Sequence, residues 1–183
     1  MPTQDARPIK IEVKNLTKRF GDLLVLDDMN FTIRKGEFLA IVGPTGCGKT
    51  TFLNCLSKLM PTSEGDIYID GEPANPQKHN ISFVFQEPTC FMMDEPYGQL
   101  DIKLRFYLED ELVKLWKALG STVLFVTHNS AEAVYVAERI LVLTNKPTNI
   151  KKEIVVDLPR PRDTVSDDFI RIRKQVTELI RWW

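Results

Sequence analysis

The chain has 183 residues, of which 43% are hydrophobic and 27% are charged. A chain of this size can bury the core of one globular domain but is short for two, so we expect residues 1–183 to form a single domain. Its 24 basic and 25 acidic residues give a net charge of −1. The composition therefore lacks the strong basic excess that is typical of nucleic-acid-binding proteins, and we expect no nucleic-acid partner.

Cysteine usage and hydropathy indicate the compartment. Cys47, Cys55 and Cys90 have neither a metal-binding spacing nor a C-x-x-C pattern, which is typical of reduced thiols in the cytosol. No apolar run approaches the roughly 18–20 residues of a membrane span, and residues 1–10 lack the apolar centre of a signal peptide. We therefore expect a cytoplasmic protein without a membrane span, which reaches any membrane through a partner.

The first sixty residues predict strands followed by a helix. Apolar and polar residues alternate around Ile11 and again around Phe31, as in strands that are buried on one face. The unbroken apolar run Phe38–Val42 predicts a strand buried on both faces of a parallel sheet. A glycine-rich loop follows, and then an amphipathic helix over Lys49–Met60 that Pro61 ends.

Strands and helices alternate through the rest of the chain. Further strands are predicted at residues 67–69, 81–85, 91–93, 122–126, 139–143 and 154–156, and helices after Asp101, after Asn129 and over residues 166–183. The C-terminal helix is amphipathic. Buried strands that alternate with helices predict an α/β fold, with a mainly parallel sheet, flanking helices and an N-terminal antiparallel β portion.

The loop after Phe38–Val42 carries the first functional motif. Residues 43–50 match G-x-x-x-x-G-K-[ST] at every position, between a buried strand and a helix. The glycines let backbone N–H groups converge on a phosphate, and the helix N-terminus favours negative charge. Lys49 is expected to reach the β- and γ-phosphates, and Thr50 to offer its hydroxyl to Mg²⁺. The alternative is a glycine-rich turn without a ligand. The predicted nucleotide-binding residues here are Gly43, Pro44, Thr45, Gly46, Cys47, Gly48, Lys49, Thr50 and Thr51.

Two carboxylates end a second apolar strand. Asp94 and Glu95 directly follow residues 91–93. An aspartate at the end of a buried strand can hold Mg²⁺ in P-loop nucleotide hydrolases, and the adjacent glutamate could take a proton from an attacking water. Alone, such a string usually marks a strand that runs into a solvated turn. Together with the phosphate loop it favours an ATP site with Mg²⁺.

Taken together, these motifs resemble those of the ATP-binding subunit of an ABC importer. Residues 94–101 are similar to the family's Walker B motif and D-loop, and residues 85–89 to its Q-loop. His128 stands where the family has its switch histidine, and Phe20 where an aromatic ring stacks on adenine. Residues 159–163 and the C-terminal helix are most similar to the nitrate, sulfonate and taurine branch. The resemblance implies a P-loop NTPase fold.

The resemblance also implies roles and partners. Glu95 would be the general base and His128 would contact the γ-phosphate, while Thr50, Gln86 and Asp94 would hold Mg²⁺, with Gln86 also beside the nucleotide. The expected partners are an integral-membrane permease and a second ATPase subunit, which would place the chain at the inner face of the cell membrane. The solute would be a small oxyanion or an organosulfur compound.

Each of these residues has a simpler interpretation when it is taken alone. His128 could be a surface or hydrogen-bonded histidine, Gln86 an ordinary solvated residue, and Phe20 a core residue. Cys47 is interpreted as a small residue whose side chain points away from the phosphates. The order of the motifs along the chain favours the functional interpretation over these alternatives.

One part of the family pattern is absent from the chain. The family places a helical subdomain and a Leu-Ser-Gly-Gly-Gln signature between the Q-loop and Walker B, whereas here only residues 87–93 separate Gln86 from Asp94. No Gly-Gly dipeptide occurs in the sequence. We therefore expect slow or absent unaided ATP turnover. The alternatives are a regulatory partner that binds nucleotide without hydrolysing it, and a non-functional deletion product.

The short link also sets an expectation for topology. The strands at 38–42, 122–126 and 91–93 should be adjacent and parallel, because Lys49, Asp94 and His128 must meet at one carboxyl edge of the sheet. Residues 81–85 should run parallel beside 91–93, although parallel neighbours usually need a crossover of about a dozen residues. An antiparallel pairing of these two strands would mean that the shortening had made a hairpin.

Overall fold

The computed structural model of the chain describes residues 6–75, 81–82, 90–98 and 100–180. Its strands are β1 Ile9–Phe20, β2 Leu23–Arg34, β3 Phe38–Val42, β4 Glu64–Ile69, β5 Glu72–Pro73, β6 Ile81–Ser82, β7 Cys90–Asp94, β8 Thr122–Thr127, β9 Arg139–Leu143 and β10 Ile150–Val155. Its helices are α1 Lys49–Leu56, α2 Ile102–Leu119, α3 Ser130–Val136 and α4 Asp167–Ile180.

These strands form two sheets. The first is antiparallel with the order β2-β1-β4-β5, which confirms the predicted N-terminal antiparallel portion. The second has the order β10-β9-β3-β8-β7-β6, and all of its pairings are parallel except that between β10 and β9. The predicted α/β fold with a mainly parallel sheet is therefore confirmed.

One predicted helix ends earlier in the structure than expected, and the predicted end of another lies outside the described residues. Helix α1 ends at Leu56 rather than at Met60. The chain turns at Lys58, whose φ is 58°, and the amide of Met60 donates to the carbonyl of Asn54 at 2.9 Å, which closes the helix end earlier than the apolar pattern indicated. The helix predicted at residues 166–183 corresponds to α4, and residues 181–183 lie outside the described part of the chain.

The three strands that were expected to meet are adjacent and parallel. Strand β8 pairs with β3 on one side and with β7 on the other. The register places Val42 opposite Thr127 and Asp94 opposite Val126, so the carboxyl ends of all three strands lie at one edge. Beyond β7, Ile81–Ser82 pairs in parallel, as predicted, whereas residues 83–89, including Gln86, lie outside the described residues.

Both faces of the parallel sheet are covered by apolar layers. Alternate residues of β3 point to opposite sides, so that Leu39 and Ile41 pack with α1 and the antiparallel sheet, whereas Phe38, Ala40 and Val42 pack with α3 and α4. This burial on both faces explains the unbroken apolar run of β3. The same packing on both faces fixes the position of β3, which leads into the glycine-rich loop.

A buried ion pair ties the two sheets together. The Nε of Arg139 lies 2.5 Å from Oε1 of Glu37, which is 2% exposed. The same guanidinium donates to the carbonyl of Thr32 on β2 at 2.5 Å and to Glu153 on β10 at 2.8 Å. One side chain on β9 thus bonds to the antiparallel sheet, to the start of β3 and to the edge strand of the parallel sheet.

Replacing Arg139 should therefore destabilise the whole domain. Arg139→Ala leaves the Glu37 carboxylate buried without its charge partner, and we expect a loss of about 3–5 kcal/mol in the free energy of unfolding. Urea denaturation followed by circular dichroism measures it. The matched control is Arg171→Ala, which removes the exposed pair with Asp168 and should cost less than about 1 kcal/mol. Equal losses in the two variants would contradict this assignment.

Candidate functional site

The glycine-rich loop connects β3 to α1 and holds Lys49 in a fixed place. Gly48 starts the helix with a φ of 114°, and a Cβ there would lie 3.0 Å from Cγ1 of Val25, so this position requires glycine. Lys49 is 6% exposed, and its Nζ donates to the carbonyl oxygens of Gly43 at 3.0 Å and Pro44 at 3.1 Å. The ammonium group therefore lies folded over the start of the loop.

The two carboxylates at the end of β7 face this loop. Oγ1 of Thr50 donates to Oδ2 of Asp94 at 2.8 Å. Oε1 of Glu95 lies 3.7 Å from Nζ of Lys49 and 3.2 Å from Nδ1 of His128. The structure thus brings Lys49, Glu95 and His128 together around one carboxylate oxygen, beside the pair formed by Thr50 and Asp94.

Backbone geometry directs Glu95 toward the loop. Its φ is 45°, in the left-handed region that residues other than glycine rarely adopt. Such a conformation costs on the order of 1–3 kcal/mol and is typical of functional sites. The amide of Glu95 donates to the carbonyl of Val126 at 2.8 Å, which extends the pairing between β7 and β8 and holds the turn.

An open cavity of about 420 Å³ lies over these groups. The phosphate loop, the two carboxylates and one further lysine line it: Thr45, Gly46, Gly48, Lys49, Thr50, Thr51, Asp94, Glu95 and Lys146. Its volume falls in the range of small-molecule and cofactor sites. Main-chain donors at a helix N-terminus, a buried ammonium and a hydroxyl–carboxylate pair are the groups that bind a polyphosphate with a divalent cation.

The comparison with family models agrees with this geometry. Residues 26–156 match the model described as ABC transporter. The chain belongs to the ABC transporter family, as an ATP-binding domain. The match begins in β2 and ends just after β10, so it includes the phosphate loop, both carboxylates and His128.

Alignments with relatives of this ABC domain extend across almost the whole of both chains. An uncharacterised ABC transporter ATP-binding protein of Methanocaldococcus jannaschii is 28% identical over 250 residues, which cover 97% of this chain and 94% of that protein. The aliphatic sulfonates import ATP-binding protein SsuB of Bacillus cereus is 29% identical over 230 residues, which cover 90% of this chain and 92% of SsuB.

Solved structures confirm the fold. A dimeric bacterial ABC transporter cassette has a TM-score of 0.68 and 22% identity, and the match covers 81% of this chain and all of that chain. A cassette bound to ADP and Pi in a post-hydrolysis state also has a TM-score of 0.68, with 21% identity. At these identities the similarity establishes the architecture of the ABC domain alone.

Four of the predicted nucleotide-binding residues in the described ranges do not line the cavity: Phe20, Gly43, Pro44 and Cys47. The Cys47 side chain is 2% exposed and lies in the core, so it can offer a phosphate only its backbone. Burial raises the pKa of its thiol. Phe20 is 46% exposed and is not among the residues that line the cavity, and its ring lies 5.1 Å from Nζ of Lys18. Gln86 lies outside the described residues.

Sequence reasoning missed Lys146. No motif marks it, and it lies in the loop after β9, a long way along the chain from the glycine-rich loop. A weak signal was present nevertheless. Strand β9 is the second parallel neighbour of β3, so the loop after β9 emerges at the same carboxyl edge as the phosphate loop.

A network of polar side chains supports the turn that carries His128. Oγ1 of Thr127 donates to Glu132 at 2.6 Å, and Nδ2 of Asn129 donates to the same carboxylate at 3.0 Å. Arg105 of α2 lies 3.2 Å from it. Glu132 is 5% exposed, so three donors satisfy a buried charge and fix the residues on either side of His128.

A second glutamate of this region stays protonated at neutral pH. Glu109 on α2 is 1% exposed, and burial, followed by the nearby charge of Glu132, raises its pKa to about 8 despite the opposing effect of Arg105. The folded state therefore holds this proton to a higher pH than the unfolded chain does. Its contribution to stability is complete below the unfolded pKa and is lost as the pH rises through the folded pKa.

We expect Glu109→Gln to remove this pH dependence. The free energy of unfolding of the parent chain should fall by about 2–4 kcal/mol between about pH 4.5 and pH 8 because of this group, and the variant should lack that part of the fall. Urea denaturation across this range measures it. Glu111→Gln, at an exposed position on the same helix, is the control and should keep the parent slope. Parallel curves for the parent and Glu109→Gln would show that Glu109 ionises normally.

Proposed function

We propose that this chain is the ATP-binding subunit of an importer for a small oxyanion or organosulfur solute, with ATP and Mg²⁺ in the cavity at the carboxyl edge of the parallel sheet. The observation that carries the proposal is the position of Glu95. Its carboxylate lies between Lys49 and His128 and beside the pair of Thr50 and Asp94, which assembles groups from three strand ends around one cavity.

The residues 43–51 would hold the phosphates. Backbone N–H groups at the start of α1 point toward anionic oxygens and act with the helix dipole. Lys49 now bonds to two carbonyl oxygens of its own loop and lies near Glu95. A phosphate offers this ammonium a stronger, charge-assisted partner in the same place, so binding needs little rearrangement of the loop.

Thr50 and Asp94 fit a Mg²⁺ ion. Their hydroxyl and carboxylate oxygens are hard ligands and lie 2.8 Å apart. Magnesium sites of this kind use one or two carboxylates and complete the shell with phosphate and water. Gln86 is proposed as a third protein ligand. When bound, Mg²⁺ neutralises charge on the β- and γ-phosphates.

Glu95 and His128 are proposed to act in hydrolysis. The Glu95 carboxylate would accept a proton from a water that attacks the γ-phosphate. His128 lies 3.2 Å from that carboxylate through Nδ1, which leaves Nε2 free to contact the γ-phosphate. Phe20, exposed at the end of β1, is proposed to stack on the adenine ring.

The importer role and the solute class depend on similarity. SsuB of Bacillus cereus is named for aliphatic sulfonate import. Residues 159–163 resemble those of the nitrate, sulfonate and taurine branch. In the structure this segment supports α3: Arg162 donates to the carbonyls of Val134 at 2.6 Å and Ala137 at 2.5 Å, at the C-terminal end of the helix. No helix in the described part of the chain could cross a membrane. By similarity to SsuB, we propose attachment at the inner membrane face through a permease.

We further propose that the chain lacks the signature-bearing subdomain of its family. The alignment with the Methanocaldococcus jannaschii relative extends over 250 residues although this chain has 183, so that relative contains residues without a counterpart here. A chain without the signature keeps its own half of a nucleotide site but cannot supply the half that a partner needs. A second, intact ATPase subunit would be required for a complete site.

Nucleotide affinity should depend on Lys49. Lys49→Ala removes the buried ammonium from the phosphate position, and we expect MgATP binding to weaken at least tenfold, or about 1.4 kcal/mol. Isothermal titration calorimetry on the purified chain measures the dissociation constant. Lys103→Ala, an exposed lysine on α2, is the control and should bind as the parent does. Unchanged affinity in Lys49→Ala would remove the phosphate loop from the proposal.

Turnover by the chain alone should be slow or absent, even with Glu95 and His128 in place. We expect a rate far below the roughly 1–10³ s⁻¹ that is typical of enzymes, rising only when an intact ATPase subunit is added. Phosphate release is measured with and without that subunit, for the parent and for Glu95→Gln. A fast, concentration-dependent rate measured without the added subunit would refute the need for a second chain, provided that Glu95→Gln abolishes this rate.

A further inference from the structure

We propose that Lys146 is a second cationic contact for the polyphosphate of the bound nucleotide and sets its affinity together with Lys49. The inference rests on the proposed function, because it assumes a nucleotide in the cavity that Lys146 lines. It concerns nucleotide binding rather than hydrolysis. The residues proposed to act in hydrolysis, Glu95 and His128, lie around Lys49.

The loop that carries Lys146 is fixed to the phosphate loop. Thr148 is fully buried, and its hydroxyl donates to the carbonyl oxygen of Cys47. Its backbone bonds to β2 in both directions, from its own N–H to the carbonyl of Val25 and from the N–H of Asp27 to its carbonyl, each at 2.9 Å. The segment two residues after Lys146 is therefore clamped between the phosphate loop and the antiparallel sheet.

The other end of the loop is closed by Thr144. Its hydroxyl accepts from the amide of Asn149 at 2.9 Å and donates to the carbonyl of Pro147 at 3.2 Å. These bonds hold residues 144–149 as a short turn, with Lys146 exposed at its tip. A lysine on an anchored turn is confined near the cavity, so less of its motion is lost when it binds a phosphate.

Charge is what this lysine adds to the cavity. Apart from Lys146, the charged side chains of the lining are Lys49, Asp94 and Glu95, two carboxylates against one ammonium. Lys49 already lies near Glu95, whereas no carboxylate in the described ranges pairs with Lys146. Without Lys146 the charged side chains of the lining carry a net negative charge, and with it they balance before Mg²⁺ is counted.

The positive charge of Lys146 acts on a residue of the phosphate loop, Cys47. Burial dominates and raises the pKa of the Cys47 thiol, but Lys146 is among the positive charges that oppose this rise. An anion bound to the backbone N–H groups of this loop would lie on the solvent-accessible side of the loop. There the exposed ammonium of Lys146 would attract it, with the interaction partly screened by solvent. A contact of this type changes affinity by roughly 3–10-fold and weakens as salt is added.

The test measures MgATP and MgADP binding by titration calorimetry over a series of salt concentrations. Lys146→Ala should weaken MgATP binding by roughly 3–10-fold at low salt, with a smaller difference at high salt. Lys146→Arg, which keeps the charge, should restore most of the affinity, and Lys146→Glu should be weaker than Lys146→Ala. The control is Lys152→Ala on β10, an exposed lysine away from the lining, which should bind as the parent does.

The outcomes separate this inference from the proposed function. If the parent binds MgATP and Lys49→Ala does not, but Lys146→Ala binds like Lys152→Ala at every salt concentration, the inference alone is wrong. An equal loss in Lys146→Arg and Lys146→Ala, or a loss that ignores salt, also overturns it, because the effect would then come from the shape of the loop. If the parent binds no nucleotide, both proposals fail. Unchanged thermal unfolding midpoints show that the variants remain folded.

Discussion

The site of this protein depends on the register of three parallel strands. Because β8 pairs with β3 and β7 so that Val42, Thr127 and Asp94 end at one edge, side chains from distant parts of the chain face a single cavity. Parallel strands that are buried on both faces cannot slip without exposing apolar side chains, so the positions of Lys49, Glu95 and His128 are held by the hydrophobic core itself.

The same constraint explains how the sheet keeps its order although only residues 83–89 connect β6 to β7. Parallel neighbours usually need a longer crossover, yet Ile81–Ser82 still runs parallel to β7. Strand β7 is set by its long pairing with β8 and by the core on both faces, whereas only two residues of β6 lie in the described part of the chain. The position of Asp94 in the ABC domain is thus set by the pairing of β7 with β8.

Charged side chains in the site hold one another in place. Glu95 adopts a left-handed backbone conformation that brings its carboxylate to Lys49 and His128, and Glu132 uses three donors to hold the turn beside His128. Lys49 and Glu132 are buried, and buried charges are stable only when they are paired. The need to pair them therefore fixes the geometry that a polyphosphate and its metal ion would use.

Local patterns determined much of this in advance. The strand, glycine-rich loop and helix around Lys49, and the apolar strand that ends in Asp94 and Glu95, depend on residues close together in sequence, so composition and spacing were enough to predict them. Tertiary structure decided the rest. Lys146 borders the site because Thr148 bonds to Cys47, 101 residues away, and Glu109 keeps its proton because α2 and α3 bury it. Contacts between residues so far apart leave no periodicity in the sequence, since they arise only when the sheets and helices pack.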